Sequence, residues 1–240
     1  MAVFERDGAR IHYDVRGTGT PLLAVAPGGM RSAADLWANA PFNPRGEFRD
    51  AWQVVTMDQR NAGASRAPIA GDHGWHTYLD DQLALMDHLG FERFLYIGMC
   101  IGGSYGLGLA ARAPERVLGA VLLQPIGLDD NRDAFHRMFD SWHEEIAAEH
   151  PEASAADWAA LRANLYDRDF VFSVDRETVA GLRTPLLVLR GDDLYHPAST
   201  SEEIVRLAPD AELLGEWKEG AARSAAIERI RVFLRAHGEA

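Results

Sequence analysis

The sequence predicts an α/β fold, with a mostly parallel, twisted sheet of about eight strands flanked by helices and a helical lid inserted late in the chain. Three observations carry this expectation. Short apolar, β-rich runs alternate with helix-length segments along most of the 240 residues. Around Cys100, the only cysteine, a strand runs through a glycine-flanked turn straight into a helix. The alternation is interrupted once, between about residues 128 and 183, by helical, aromatic-bearing sequence.

Taken in order, the chain opens as a hairpin: Val3-Phe4-Glu5, a turn at Asp7-Gly8, then alternating residues from Arg10 to Val15 that Gly17 and Gly19 end. Strands are expected at 22–26, 54–57, 94–97, 117–123, 186–189 and 211–214. Helices are expected at 33–38, 78–89, 101–112, 201–208 and 224–237, with Gly90 stopping the second. Residues 1–127 and 184–240 then form one core, and 128–183 the lid. In that insertion Phe135, Phe139, Trp142, Trp158, Tyr166, Phe170 and Phe172 either face a pocket or bind the inserted helices to one another.

The bulk numbers bound the function. Acidic residues outnumber basic ones, 36 to 24, for a net charge of −12, so the molecule repels phosphate backbones and anionic lipid; neither nucleic acid nor membrane is an expected partner. The N-terminus lacks a basic stretch followed by an apolar run, and no long apolar span occurs; a cytoplasmic protein is expected. One cysteine excludes an intramolecular disulfide and a multi-cysteine metal site. No metal set or dinucleotide-binding glycine pattern follows the early strands, so no cofactor is expected. The apolar insertion has an alternative use as a homodimer contact.

The chemistry centres on Phe94-Leu-Tyr-Ile-Gly98-Met99-Cys100-Ile101-Gly102-Gly103. This matches G-x-S-x-G with cysteine in place of serine. A nucleophile raised on a strained strand-to-helix turn needs small neighbours two residues away on each side, which Gly98 and Gly102 supply. The helix starting at Ile101 directs its N-terminal partial charge at the sulfur and favours thiolate.

These motifs, with the order of elements, resemble the α/β-hydrolase superfamily over nearly the whole chain. By that resemblance Leu22 to Met30, ending Pro27-Gly28-Gly29-Met30, is the loop that supplies one oxyanion-hole amide, from Gly29 or Met30, and Ile101 supplies the other. Asp58-Gln-Arg60-Asn61-Ala-Gly63-Ala-Ser65 is similar to the turn beside the elbow, with Asn61 where the family has its first glycine. Arg190-Gly191-Asp192-Asp193-Leu-Tyr-His196-Pro197 resembles the end of the strand that carries the catalytic acid, either Asp193 or Asp192.

The resemblance fails at the histidine. The family places it after the last strand, where this chain reads Gly215-Glu-Trp217-Lys218-Glu-Gly220. His237 comes too late, near the end of the last helix. His196, three residues after Asp193 at the carboxyl end of the sheet, is the candidate for a displaced base, and Lys218 is a candidate anion-stabiliser.

Two classes of enzyme follow. In the first, Cys100 attacks the carbonyl of a small ester, lactone or thioester and water clears the acyl-enzyme. In the second, the pocket serves non-hydrolytic chemistry such as a lyase, isomerase, cyclase or decarboxylase step. A ligand-binding member that has lost catalysis is the third reading.

Overall fold

A computed structural model of the chain describes residues 1–238. Its sheet has eight strands: β1 (Ala2–Arg6), β2 (Ala9–Arg16), β3 (Thr20–Val25), β4 (Trp52–Met57), β5 (Phe94–Met99), β6 (Val117–Leu123), β7 (Leu186–Leu189) and β8 (Ala211–Leu214), in the order β1-β2-β4-β3-β5-β6-β7-β8. The β1–β2 and β2–β4 pairs are antiparallel and all others parallel. Chain order reverses direction about β3. The loops after β3 and β5 therefore diverge to opposite faces and leave a crevice between their carboxyl ends, the position where open α/β sheets bind ligands.

The side-chain period of two divides the core between the faces. Leu23, Val25, Tyr96, Leu122 and Val188 join one cluster. Their neighbours Leu22, Ala24, Leu95, Ile97, Val121 and Leu187 join the other, with Trp37, Trp217 and Phe233. This is why the central strands read as continuous apolar runs rather than as alternation.

The helices are α1 (Pro44–Glu47), α2 (Trp75–His88), α3 (Ile101–Arg112), α4 (Arg132–Ile146), α5 (Ala155–Tyr166), α6 (Arg176–Ala180), α7 (Ala198–Leu207) and α8 (Gly220–Gly238). The helix expected at 33–38 is a 3-10 helix over Ala34–Asn39, and the short α1 has no counterpart in the sequence-based expectation. Between β6 and β7 lie α4, α5 and α6, the interruption of the alternating pattern. Among the described residues no helix is long and apolar enough to cross a membrane.

The turn after β4 explains its departure from the family pattern. Asn61 takes φ 59°, the left-handed region, which asparagine tolerates better than most residues, and its Oδ1 accepts from Ala67 N at 2.7 Å. Asp58 organises the same turn, accepting from Ala34 N at 2.8 Å and Ala64 N at 2.9 Å. Beside it the Arg60 guanidinium and the Asp81 carboxylate make a buried two-pronged pair at 2.6 and 3.0 Å.

Candidate active site

Cys100 stands between β5 and α3 with φ 62° and ψ −119°. A non-glycine residue in that region is strained, and it is held there by the hydrogen bonds of its own backbone. Its N–H donates to Leu123 O at 2.9 Å and its carbonyl accepts from Gly103 N at 2.9 Å. Gly98 permits the turn: a Cβ there would lie 2.6 Å from the carbonyl carbon of Gly102 and 2.7 Å from the Tyr96 ring. Met99, the last residue of β5, is buried in the face opposite α3.

His196 meets Cys100 from the loop after β7. Its ring is buried, and Nδ1 lies 2.7 and 2.9 Å from the two carboxylate oxygens of Asp193. The loop shapes itself around that pairing: Asp193 Oδ1 also accepts from the N–H groups of Tyr195 and His196, at 3.0 and 3.1 Å. Nε2 is buried and has no hydrogen-bond partner, while His196 and Cys100, which line the same cavity, each shift the other toward its charged form. Of the two acids left open by the sequence, Asp193 is at the histidine. Asp192 points away and pairs with Lys218, so neither of those residues lines the pocket. His237 lies on α8 against Phe233.

The electrostatics of the three groups are mutually consistent. Burial opposes charge on the sulfur, but His196 and the backbone amides of Gly28 and Ile101 outweigh it and hold the Cys100 thiol below its ordinary value. Burial likewise opposes the imidazolium, yet the sulfur and Asp193 raise His196 from 6.5 to about 8. Asp193, desolvated in part, is nevertheless lowered by His196 and the loop amides. Both shifts run in the direction that favours a thiolate beside an imidazolium over the neutral pair.

From the loop after β3 the backbone amide of Gly28, next to the expected oxyanion donors Gly29 and Met30, favours negative charge on the sulfur. Gly28 and Gly29 both have positive φ, 121° and 57°, and both line the pocket. Met30 is turned under the loop, where its sulfur accepts from Tyr166 Oη at 3.3 Å.

A cavity of about 230 Å³ opens over the sulfur. Ile126, Phe135, Met138, Tyr166 and Tyr195 supply its apolar wall. The inserted aromatics therefore divide: Phe135 and Tyr166 face the cavity, whereas Trp142 and Trp158 pack on each other at 5.8 Å between α4 and α5. The residues that sequence reasoning missed are Gly28, Ile126, Met138 and Tyr195. Only Tyr195 had a local signal, as an aromatic residue next to His196. Among the described residues no group of three or more acidic, histidine or cysteine side chains is placed to hold a metal ion.

A profile of the α/β hydrolase fold matches residues 23–213, most of the chain. The chain belongs to the α/β-hydrolase fold family. Its relatives within that family include a protein of Azorhizobium caulinodans named a carbamate hydrolase, RutD, 26% identical over 236 residues and covering 85% of each chain. A 2-hydroxymuconate semialdehyde hydrolase of Pseudomonas putida is 29% identical over 125 residues, which cover 50% of this chain and 42% of that protein. Among solved structures, an enol-lactonase from Burkholderia xenovorans LB400 superposes with a TM-score of 0.65 at 20% identity, over 98% of this chain and 97% of the other. At that identity the likeness is one of fold.

Proposed function

We propose that the protein is an acyl-transfer hydrolase of small, largely apolar carbonyl compounds, with Cys100 as nucleophile, His196 as general acid and base, and Asp193 as the residue that orients it. The observation that carries this reading is His196 itself. It lies between Asp193 and Cys100 although it comes from a different loop than the family's histidine.

The sequence of steps starts from the charged pair that both shifts favour. The Cys100 thiolate attacks the carbonyl carbon, and the electron pair of the carbonyl moves onto oxygen. The amide of Ile101 and those of the Gly28–Gly29 loop hold the oxyanion, at the site where amides already favour negative charge on sulfur. As the intermediate collapses, the bond to the leaving group breaks and His196 gives that group its Nε2 proton. Neutral His196 then takes a proton from an entering water, which attacks the thioester. The acid leaves, and thiolate and imidazolium are restored. An acyl group must fit about 230 Å³ of mostly apolar space, and esters, lactones and thioesters of short or aromatic acids meet that requirement. The hydrolase names of the relatives support a hydrolytic reaction over the other chemistries this fold can host.

The test is to mix the protein and Cys100→Ala with short-chain and aryl p-nitrophenyl esters and thioesters while following intact mass. Turnover with a transient acyl adduct, both lost in Cys100→Ala, is the expected result. A permanent adduct without turnover would refute hydrolysis while keeping the nucleophile, and neither adduct nor turnover would refute both.

A further inference from the structure

Gln124 is the residue immediately after β6, and no step above uses it. Its φ is 38°, in the left-handed region, and the proline that follows narrows its backbone choices further. Its side chain is buried, and Oε1 has no hydrogen-bond partner. The other end of the amide, Nε2, lies 3.3 Å from His196 Nδ1. Packing does not require this combination, because a leucine or methionine fills the same space without burying an unpaired polar atom. Strain and an unpaired polar group that coincide beside one ring point to a role at that ring.

We propose that Gln124 is a positioning residue for His196: its amide presents oxygen to Nδ1–H and shares that proton with Asp193, so that Nε2 stays directed at Cys100. The inference rests on the reading of His196 as the base. Nδ1 must carry a proton, because it lies 2.7 Å from a carboxylate oxygen that can only accept. An NH2 group facing that N–H would set donor against donor. A half-turn of the nearly symmetric amide puts Oε1 there instead.

The two acceptors work from opposite sides. The Asp193 side chain is 48% exposed, so water competes for it. Gln124 approaches from the dry side, its own N–H fixed to Leu189 O at 2.8 Å. The titratable groups around the ring are Asp193 and Tyr195 from its own loop and, lining the same cavity, Cys100 from the elbow and Tyr166 from α5. A neutral amide adds direction here without adding a second buried anion.

Gln124→Met and Gln124→Glu, each alone and combined with Asp193→Ala, test the proposal. Two readouts need no substrate: the NMR titration and tautomer of His196, and the rate of Cys100 alkylation by iodoacetamide against pH. A failure of hydrolysis is therefore distinguishable from a failure of this proposal. Gln124→Met is expected to lower the pH at which His196 loses its proton and to slow alkylation near neutral pH by about tenfold, the effect of one hydrogen bond to a charged group. Gln124→Glu is expected to move the titration upward, and in the Asp193→Ala background to recover about tenfold in alkylation rate. If both substitutions slow alkylation alike with the His196 titration unmoved, or if glutamate fails to rescue Asp193→Ala, the proposal is overturned. Should Gln124→Met fail to fold, Asp193→Ala alone decides. A retained Nδ1–H tautomer supports the role of Gln124, and a switch to Nε2–H overturns it.

Discussion

Replacing His196 by glutamine removes the cation from beside the Cys100 sulfur while nearly keeping side-chain volume. The size of the effect follows from the linkage between the two groups. His196 rises from 6.5 to about 8, a gain of about 2 kcal/mol for the imidazolium. Burial opposes that gain, so the attraction supplied by Cys100 and Asp193 together exceeds it. Cys100 contributes more of it than Asp193 does, so at least about 1 kcal/mol belongs to the sulfur, and by reciprocity His196→Gln withdraws as much from the thiolate, about fivefold in the ionisation constant of the thiol. The loss is larger still because burial, which pushes the thiol up, is then opposed only by the amides of Gly28 and Ile101. With one cysteine in the chain, thiolate absorbance in the ultraviolet reports Cys100 without ambiguity when Cys100→Ser is the blank. The expected result is a titration displaced to higher pH in His196→Gln. A thiolate that titrates at the same pH in both proteins would refute the ion pair and, with it, the activation of the nucleophile.

The acylation rate should fall as pH rises through about 8, where His196 surrenders the proton it hands to the leaving group. In Cys100→Ala, which lacks the neighbouring anion, an NMR titration of His196 should move downward from that value. Gly98→Ala forces a Cβ onto the Gly102 carbonyl, a backbone neighbour that cannot give way; a loss of about 3 kcal/mol is expected in urea unfolding. Gly215→Ala, where an added Cβ meets nothing within 4 Å, should be near neutral. Arg60→Met strands the buried Asp81 carboxylate and should cost about 3–5 kcal/mol by urea unfolding. The double change Arg60→Met/Asp81→Leu should recover most of that loss.

Much of the fold is legible in the sequence because its central strands are buried on both faces, so each one reads as an apolar run with turn residues at its ends. Val117–Leu123 and Leu186–Leu189 are recovered with the same limits as in the structure. The elbow is legible for a different reason: a strained turn admits few residue types, and Gly98 and Gly102 mark it. Other features depend on long-range meetings that leave no local trace. Asp192 and Asp193 are chemically identical neighbours, and only the direction of the loop turns one toward His196 and the other toward Lys218. The division of the inserted aromatics is equally nonlocal, since Phe135 and Trp142 lie on the same helix and differ in what covers them. Gln124 leaves a polar interruption at the end of an apolar strand, a signal whose meaning appears only once His196 is beside it.

Asp193 and His196 lie in one turn that is tied to itself, His196 N to Asp193 O at 3.1 Å and Asp193 N to His196 O at 3.3 Å. The two side chains thus form a preassembled cassette four residues long. Their alignment does not depend on docking a separate C-terminal loop against the sheet. The segment after β8, where the family keeps its histidine, is released from that duty. It braces the same loop from outside instead: buried Trp217 donates from Nε1 to Arg190 O at 2.9 Å, just ahead of the turn that holds Asp193 and His196.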